Sequence, residues 1–354
     1  MNLNAVMPIN RTSYGVVSYY ILKYLKEAGV HVSLFPVGPV DISSFADQGF
    51  DFLEEFGQNA SSFKYDAPCL KIFHQNLLGE FVGRGKHVAY SFFEIDPLTE
   101  RDVHHINSVD KFISPSNWAK KVCENSGVTV PISIAAPSVE LSLITNDNKP
   151  SGETIKFLHI GKWEERKCHK EMIEAFGEAF DPFDDVQLDL VCYNPFCNDE
   201  EHTKWFDVVR SSKNGHKINV LNPLQLHSQI LNLYNDYHVY VSLSRAEGYD
   251  LPLIEAMSNG LLCVGTNSAA HKDYLTDDNC ILVQPSGREK AFDGKWFLGE
   301  SEWDKFDTED FVGAFVKAKE EIEKGCSEKV EAAKQTALGN SWEKTVEKII
   351  GELE

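Results

Sequence analysis

The sequence predicts an α/β protein of two consecutive domains, and three observations carry the prediction. Its 354 residues exceed what one ordinary core supports and suit two domains of about 150 to 200 residues each. Strand-like and helix-like segments alternate from end to end, the pattern of parallel β/α units. One stretch, ITNDNKPSGET at 144–154, gathers Asn, Asp, Pro, Ser and Gly with almost nothing apolar and reads as a linker.

The first series opens with an apolar piece, Leu3 to Ile9, and a polar loop containing Gly15. A helix is predicted from Val16 to Ala28, stopped by Gly29. VHVSLFPV then alternates and is rich in β-branched residues, so it reads as a strand. Further strands are expected at Cys69–Phe73, His87–Phe92, Lys111–Ile113 and Ile132–Ala135, with helices at Pro97–Asn107 and Asn117–Ser126. A second series follows the linker: strand IKFLHIG (155–161), helix Lys170–Phe180, strands VQLDLVCY and INVLN, helix Leu224–Asp236, strand HVYVSLS, a helix from Pro252 to Ser258, and strand LLCVGT. Pro285–Asp310 reads as a loop or short excursion, and SWEKTVEKIIGELE as an amphipathic closing helix. The expected division is a Rossmann-like domain over 1–143, a linker at 144–154, a second Rossmann-like domain over 155–338, and a terminal helix over 339–354. Two such domains are expected to face each other across a ligand cleft, with the last helix returning to the first domain.

With 42% hydrophobic and 25% charged residues, the composition is that of a folded soluble protein. No apolar run approaches the roughly 20 residues a membrane-spanning helix needs. MNLNAVMPINRTSYG lacks a basic region followed by an apolar core, so no secretory signal is expected. Net charge is −20, and residues 1–145 carry 11 Lys+Arg against 15 Asp+Glu while the rest carries 23 against 39. That balance repels nucleic-acid backbones, so nucleic acid is not an expected partner. The eight cysteines form no C-x-x-C pair and read as reduced thiols in a cytoplasmic protein, with no metal site expected. The tyrosine-rich VVSYYILKYL could touch a membrane surface or lipid-linked acceptor, but a buried helix with Tyr at its rim explains it equally well and is the favoured reading.

The densest chemistry lies in SRAEGYDLPLIEAMSNGLLCVGT (244–266). A strand ends near Ser244, the chain turns through Gly248, and a helix starts at Pro252, a residue suited to a first helical turn. The amides of Leu251, Leu253 and Ile254 are then free to bind an anion such as a diphosphate. Glu247 can accept hydrogen bonds from sugar hydroxyls, and Glu255, expected in the first turn, from a ribose. Either glutamate alone would equally well stabilise a helix dipole. In HIGKWEERKCHKEMIEAF (159–176), Lys162 and Lys167 flank a polar loop between a strand ending at Gly161 and a helix. Two cations there can hold a diphosphate and stabilise charge on it as it leaves. A solvated basic loop accounts for them too, and Arg166 is a competing candidate that could simply face solvent.

Together these segments resemble the retaining glycosyltransferases of family 4, which have the GT-B fold. Glu247 and Glu255 match their E-x7-E motif, and Gly161, Lys162 and Lys167 match their strand–Gly–Arg–(x)4–Lys–helix segment. KFISPSNWAKKVCENSGVTVPISIAAPSVE, YSFFEID and the closing helix are similar to that family as well. The resemblance implies transfer of a hexosyl group from a nucleoside-diphosphate sugar to an acceptor hydroxyl, with retention of configuration and without a metal or other cofactor. It implies that Glu247 contacts the transferred sugar, Glu255 the ribose, and Lys162 and Lys167 the diphosphate. Gly161, Gly248, Tyr249, Asp250 and Leu251 would line the donor site, and Gly15 would let the backbone approach donor or acceptor. His74 would occupy the place of a cleft histidine, with His87, His104 and His271 as rivals. The resemblance implies that the first domain, 1–143, is the acceptor side and the second, 155–338, binds the nucleotide-sugar donor; the acceptor itself, whether glycan, lipid-linked sugar or protein, is not indicated.

The sequence departs from the family pattern at Lys162 for Arg, Cys168 for Gly, Asp250 for Gly, and Ser138-Val139-Glu140 for Gly-Val-Asp. Asp250 is expected to point away from the phosphates or to cap the helix. The alternatives are a degenerate GT-B protein that binds a sugar nucleotide or partner without turnover, a sugar-nucleotide epimerase, and a pyridoxal-phosphate phosphorylase of the same fold. No G-x-G-x-x-G follows a predicted strand, which argues against an NAD-linked enzyme.

Overall fold

The computed structural model describes residues 1–144 and 152–354. The expected linker at 144–154 lies largely outside the described residues. The chain divides into two compact units, one of Met1–Leu141, Gln225–Ser228 and Asn340–Glu354, the other of Ser142–Leu224 and Gln229–Gly339.

The first unit contains β1 (Asn2–Met7), α1 (Ser13–Glu27), β2 (His31–Pro36), α2 (Asp51–Asn59), β3 (Cys69–Ile72), β4 (His87–Tyr90), α3 (Glu100–Ile106), β5 (Lys111–Ser114), α4 (Asn117–Asn125) and β6 (Ile132–Ile134). Its strands form one parallel sheet in the order β2-β1-β3-β4-β5-β6. The helix starts follow local chemistry. Thr99 and Asp102 make a reciprocal capping box at α3, and the Ser116 hydroxyl accepts from the Ala119 amide at α4.

Gly15 is not in the opening loop, as expected from sequence, but in the first turn of α1. A Cβ there would stand 2.0 Å from the Asn10 carbonyl oxygen, so this glycine lets the helix and the preceding loop approach each other. Tyr19, Tyr20 and Tyr24 of α1 are buried. Their hydroxyls donate to Gly49 O at 2.6 Å, Gln48 Oε1 at 2.9 Å and Glu140 Oε2 at 3.2 Å. These tyrosines belong to the core, in keeping with the buried helix that the sequence favours.

The second unit contains β7 (Ile155–Gly161), α5 (His169–Ala179), β8 (Val186–Cys192), α6 (Asp199–Ser211), β9 (Ile218–Val220), α7 (His227–Leu233), β10 (Val239–Ser242), α8 (Leu251–Ser258), β11 (Leu262–Thr266) and β12 (Ile281–Val283), with the first residues of α7 assigned to the first unit. Its parallel sheet has the order β12-β11-β10-β7-β8-β9. Phe157, Phe176, Phe180 and Phe315 pack together at its centre.

Pro285–Asp310 is not a loop. It forms an antiparallel hairpin, β13 (Gly287–Phe292) with β14 (Leu298–Lys305), and then enters α9 (Thr308–Lys324), which leads to α10 (Ser327–Leu338). The closing helix, α11 (Trp342–Leu353), lies in the first unit, where Trp342 stacks on Tyr20 at 5.4 Å and Thr345 donates to Ala136 O at 2.6 Å. Gln225–Ser228, expected in the second domain, also belongs to the first unit, because the His227 ring packs between Tyr20 and Phe45. Among the described residues, no helix is long and apolar enough to cross a membrane.

Candidate functional site

In the second unit, the strand order reverses direction at β7: β8 and β9 extend to one side of it, and β10, β11 and β12 to the other. In parallel sheets such a switch point leaves a crevice at the carboxyl ends of the two strands, the usual ligand position. The two motif segments are the loops that leave β7 and β10, so the fold places them side by side. The Arg245 amide donates to Arg166 O at 2.8 Å and fastens one loop to the other.

At this junction Glu247 meets two cations. Lys167 Nζ lies 2.6 Å from Glu247 Oε1, and Arg166 Nη1 lies 3.0 Å from the same oxygen. The Ser244 hydroxyl donates to that oxygen as well, at 2.7 Å. Arg166 also donates to Ala246 O and is bridged by Glu164 at 2.8 Å. All three charged groups are buried. Burial works against ionisation of Glu247, but Arg166 and Lys167 overcome it and hold its carboxyl well below the usual range. Burial likewise opposes the charge on Lys167, but Glu247, with Asp250 and Glu164, outweighs it and raises the ammonium above its usual value.

Arg166 is therefore a core member of the site rather than a solvent-facing residue. Lys162 is the more peripheral cation: it is 36% exposed, pairs with Glu164 at 2.7 Å, and sits over the Phe196 ring. Gly161 has a packing role. A Cβ there would come within 3.0 Å of Lys167 Cδ and His159 Nε2, so the glycine gives the lysine room to cross the strand end.

Behind the loop, His159 and His169 face each other with their Nε2 atoms 3.2 Å apart. Their Nδ1 atoms contact Val241 O at 2.7 Å and Glu164 O at 3.1 Å. Burial pushes His159 down to about 4, and burial together with His159 pushes His169 well below the usual range. With Cys192, these are the one group among the described residues whose three potential metal-ligating atoms lie close together, within 4.8 Å of one another.

The loop before α8 shows what two of the sequence departures do. Cys168 (φ 53°) and Asp250 (φ 74°) both adopt the left-handed conformation that favours glycine. Each uses its side chain: Cys168 Sγ accepts from Arg245 at 2.9 Å, and Asp250 accepts from Ser242 at 2.6 Å and His271 at 3.0 Å. Asp250 thus makes no side-chain cap, contrary to one expectation; it is buried beneath the turn, facing β10. The Ile254 amide is taken by Asp250 O at 3.3 Å. The Leu251 and Leu253 amides have no acceptor among the described residues.

Gly248 and Tyr249 are buried in the same turn, and the Tyr249 carbonyl accepts from Tyr274 at 2.7 Å. Glu255 is not in the first turn of α8 but one turn further in. It is buried, and Tyr234 donates to its Oε2 at 3.1 Å. In the first unit, the switch point lies between β1 and β3. There, exposed His74 follows β3 and meets the Tyr14 ring edge-on at 4.9 Å, which brings it beside the helix start that holds Gly15.

The sequence model of the family described as Glycosyl transferases group 1 matches residues 143–295. No curated protein matches the chain. Among solved structures, a glycosyltransferase from Rickettsia africae is 16% identical, with a TM-score of 0.72, 99% of this chain and 97% of that chain covered. A sucrose-phosphate synthase from Thermosynechococcus elongatus is 13% identical, with a TM-score of 0.73 and coverage of 100% and 98%. HepE from Anabaena, in complex with UDP and glucose, is also 13% identical, with a TM-score of 0.72 and coverage of 100% and 99%. The fold is thus GT-B, and residues 143–295, which match the glycosyl transferases group 1 model, carry both motif loops.

Proposed function

We propose that the chain is a nucleotide-sugar-dependent glycosyltransferase that works with retention of configuration and without a metal, in the cytoplasm. The observation that carries this reading is the Arg166–Lys167–Glu247 cluster at the switch point of the second sheet. Cations held there, beside the unpaired amides at the start of α8, suit a diphosphate. The three contacts on Glu247 converge on Oε1, and Oε2 has no partner among the described residues. It can therefore accept from a sugar hydroxyl while the first oxygen keeps the loop in place.

The reaction breaks the bond between the anomeric carbon and the diphosphate oxygen. The acceptor oxygen attacks from the same face, and its proton passes to the departing phosphate. Arg166, Lys167 and the α8 amides would stabilise the charge that gathers on the leaving group. Glu255, oriented by Tyr234, would receive the ribose. UDP is the nucleotide to try first, given the UDP complex of the Anabaena structure.

The test is proton NMR of the protein with UDP-glucose, UDP-galactose and UDP-N-acetylglucosamine in the presence of EDTA. Slow release of UDP with the α-anomer of the sugar appearing first is expected. Release of the β-anomer first would count against retention. No release until a divalent ion is restored would count against a metal-free site.

A further inference from the structure

We propose that His159, His169 and Cys192 bind one divalent transition-metal ion of the zinc class, which anchors from behind the loop that carries Arg166 and Lys167. None of the three ligands is assigned to the donor, so the ion takes no part in the transfer chemistry.

Strand register brings the ligands together. β7 and β8 pair with Gly161 opposite Cys192 and His159 opposite Leu190. Side chains two apart on a strand share a face, so His159 and Cys192 point to the same side of the sheet. His169, the first residue of α5, packs on that side against His159. Gly161 has no Cβ, and one there would come within 3.0 Å of His159 Nε2, so the glycine leaves room beside that nitrogen.

The protons on the two rings call for a cation between them. His159 Nδ1 lies 2.7 Å from Val241 O and donates to it. His169 Nδ1 lies 3.1 Å from Glu164 O and 3.5 Å from the Glu164 amide nitrogen, so the shorter contact makes it a donor too. A neutral imidazole carries a single proton, which leaves both Nε2 atoms as bare acceptors. They face each other at 3.2 Å, where two lone pairs repel unless a positive ion joins them. A ring N–H given to a backbone carbonyl, with the other nitrogen on the metal, is how metal-bound histidines are held. Zinc–nitrogen bonds of about 2.0–2.1 Å at a tetrahedral angle place two nitrogens about 3.3 Å apart. Cys192 Sγ lies within 4.8 Å of both nitrogens and reaches the roughly 3.6 Å of such a site by moving at most about 1.2 Å.

The surroundings suit a closed structural site. All three ligands are buried, and the Trp163 and Trp205 rings wall off His169 at 4.8 and 5.5 Å. The nearby cations are compensated, since Arg166 and Lys167 are paired with Glu247. Binding forms two metal–nitrogen bonds and one metal–sulfur bond, and the Cys192 proton leaves to solvent. A water completes the four ligands. His169 holds Glu164 O, and Glu164 pairs with Arg166 at 2.8 Å and Lys162 at 2.7 Å, so the ion fixes the cation loop. Without it the pair falls back on a hydrogen bond between two neutral imidazoles.

The experiment refolds the full chain from guanidinium with EDTA, with one equivalent of Zn2+, or with one equivalent of Co2+. One zinc per chain is expected to survive an EDTA wash of the folded protein and to reach a colorimetric chelator only on unfolding. The cobalt form should show a thiolate-to-metal charge-transfer band that Cys192→Ser loses and Cys280→Ser, at a buried cysteine outside the cluster, keeps. UDP affinity, measured by calorimetry, is expected to fall about tenfold in the zinc-free protein, the scale on which a lost support weakens a site. That last arm rests on the glycosyl-transfer reading. Failure to refold in EDTA, reversed by zinc, supports the site as well. No bound zinc, zinc that EDTA strips from the folded chain, or the same cobalt band in both cysteine variants overturns the proposal. Equal UDP affinity with and without zinc overturns the anchoring role. Absence of UDP binding in both forms would instead remove the glycosyl-transfer reading and leave the metal site standing.

Discussion

Replacing Glu247 by Ala is expected to destabilise the protein by about 3–5 kcal/mol and to abolish transfer, because the change leaves buried positive charge without its counter-ion. Arg166 and Lys167 both converge on Glu247 Oε1, and the Ser244 hydroxyl uses the same atom. Removing the carboxylate therefore strands two cations and one hydroxyl at once. Urea unfolding monitored by circular dichroism measures the loss. Glu247→Gln keeps the shape and one acceptor, so it should cost less while still removing the charge. The decisive variant is Glu247→Gln with Lys167→Met, which deletes both signs. It should lose less than the sum of the single changes, by a coupling of about 0.5–3 kcal/mol. Strict additivity would mean that the pair seen here does not contribute to stability.

Acidification is expected to destabilise the fold well before the carboxylates titrate. His159 has a folded-state value of about 4 against an ordinary 6.5, and His169 is shifted in the same direction. The imidazoles face Val241 O, Glu164 O and each other, and feel Lys167 as well. Above pH 6.5 both states are neutral and these groups add no pH dependence. Below it, the unfolded chain takes up protons that the folded chain refuses, so stability falls with falling pH. His159 alone accounts for about 3 kcal/mol between pH 6.5 and 4, at about 1.4 kcal/mol per unit. Glu164 and Glu247 are shifted below the usual carboxylate range. They add their loss only as pH falls through and below about 4.5. Urea unfolding between pH 7.5 and 4.5 therefore isolates the histidines, and His169→Gln should flatten the slope. An unchanged slope in that variant would place the pH dependence elsewhere, for instance at His105 or His238, which burial also lowers.

What the sequence revealed and concealed follows from the range of the interactions involved. The strands of both sheets except the edge strand β12 were legible because β-branched runs between turn residues mark them locally, and so was the motif loop that ends in a Pro-started helix; β12, only Ile281–Val283, is too short to show a pattern of its own. Arg166 was not legible. Its burial depends on Glu247 and Ala246, about eighty residues away, and a basic residue in a polar loop gives no local sign of such a partner. Gly15 was placed correctly in the chain but assigned to the loop, because Ser13 and Tyr14 offer no helical periodicity of their own. Asp250 looked like a cap because of its position before α8. Its left-handed backbone instead turns the side chain inward to Ser242 and His271. The β13–β14 hairpin escaped notice because GREKAF and LGESEWDK alternate weakly and carry charges on both faces. Its order comes from distant pairs such as Arg245 with Glu289 and Lys272 with Asp304 at 3.0 Å.

The switch point of the second sheet is proposed to bind a nucleoside diphosphate through the α8 terminus and its glutamates. Thermal unfolding with UDP, with GDP, with ADP and without ligand, on wild type and on Glu255→Ala, tests it most directly. A nucleotide at about 100 times its dissociation constant stabilises by about 2.7 kcal/mol. The account predicts a shift of that size with UDP in wild type and a weaker one in Glu255→Ala. No shift with any of the three nucleotides, or the same shift in the variant, would contradict it.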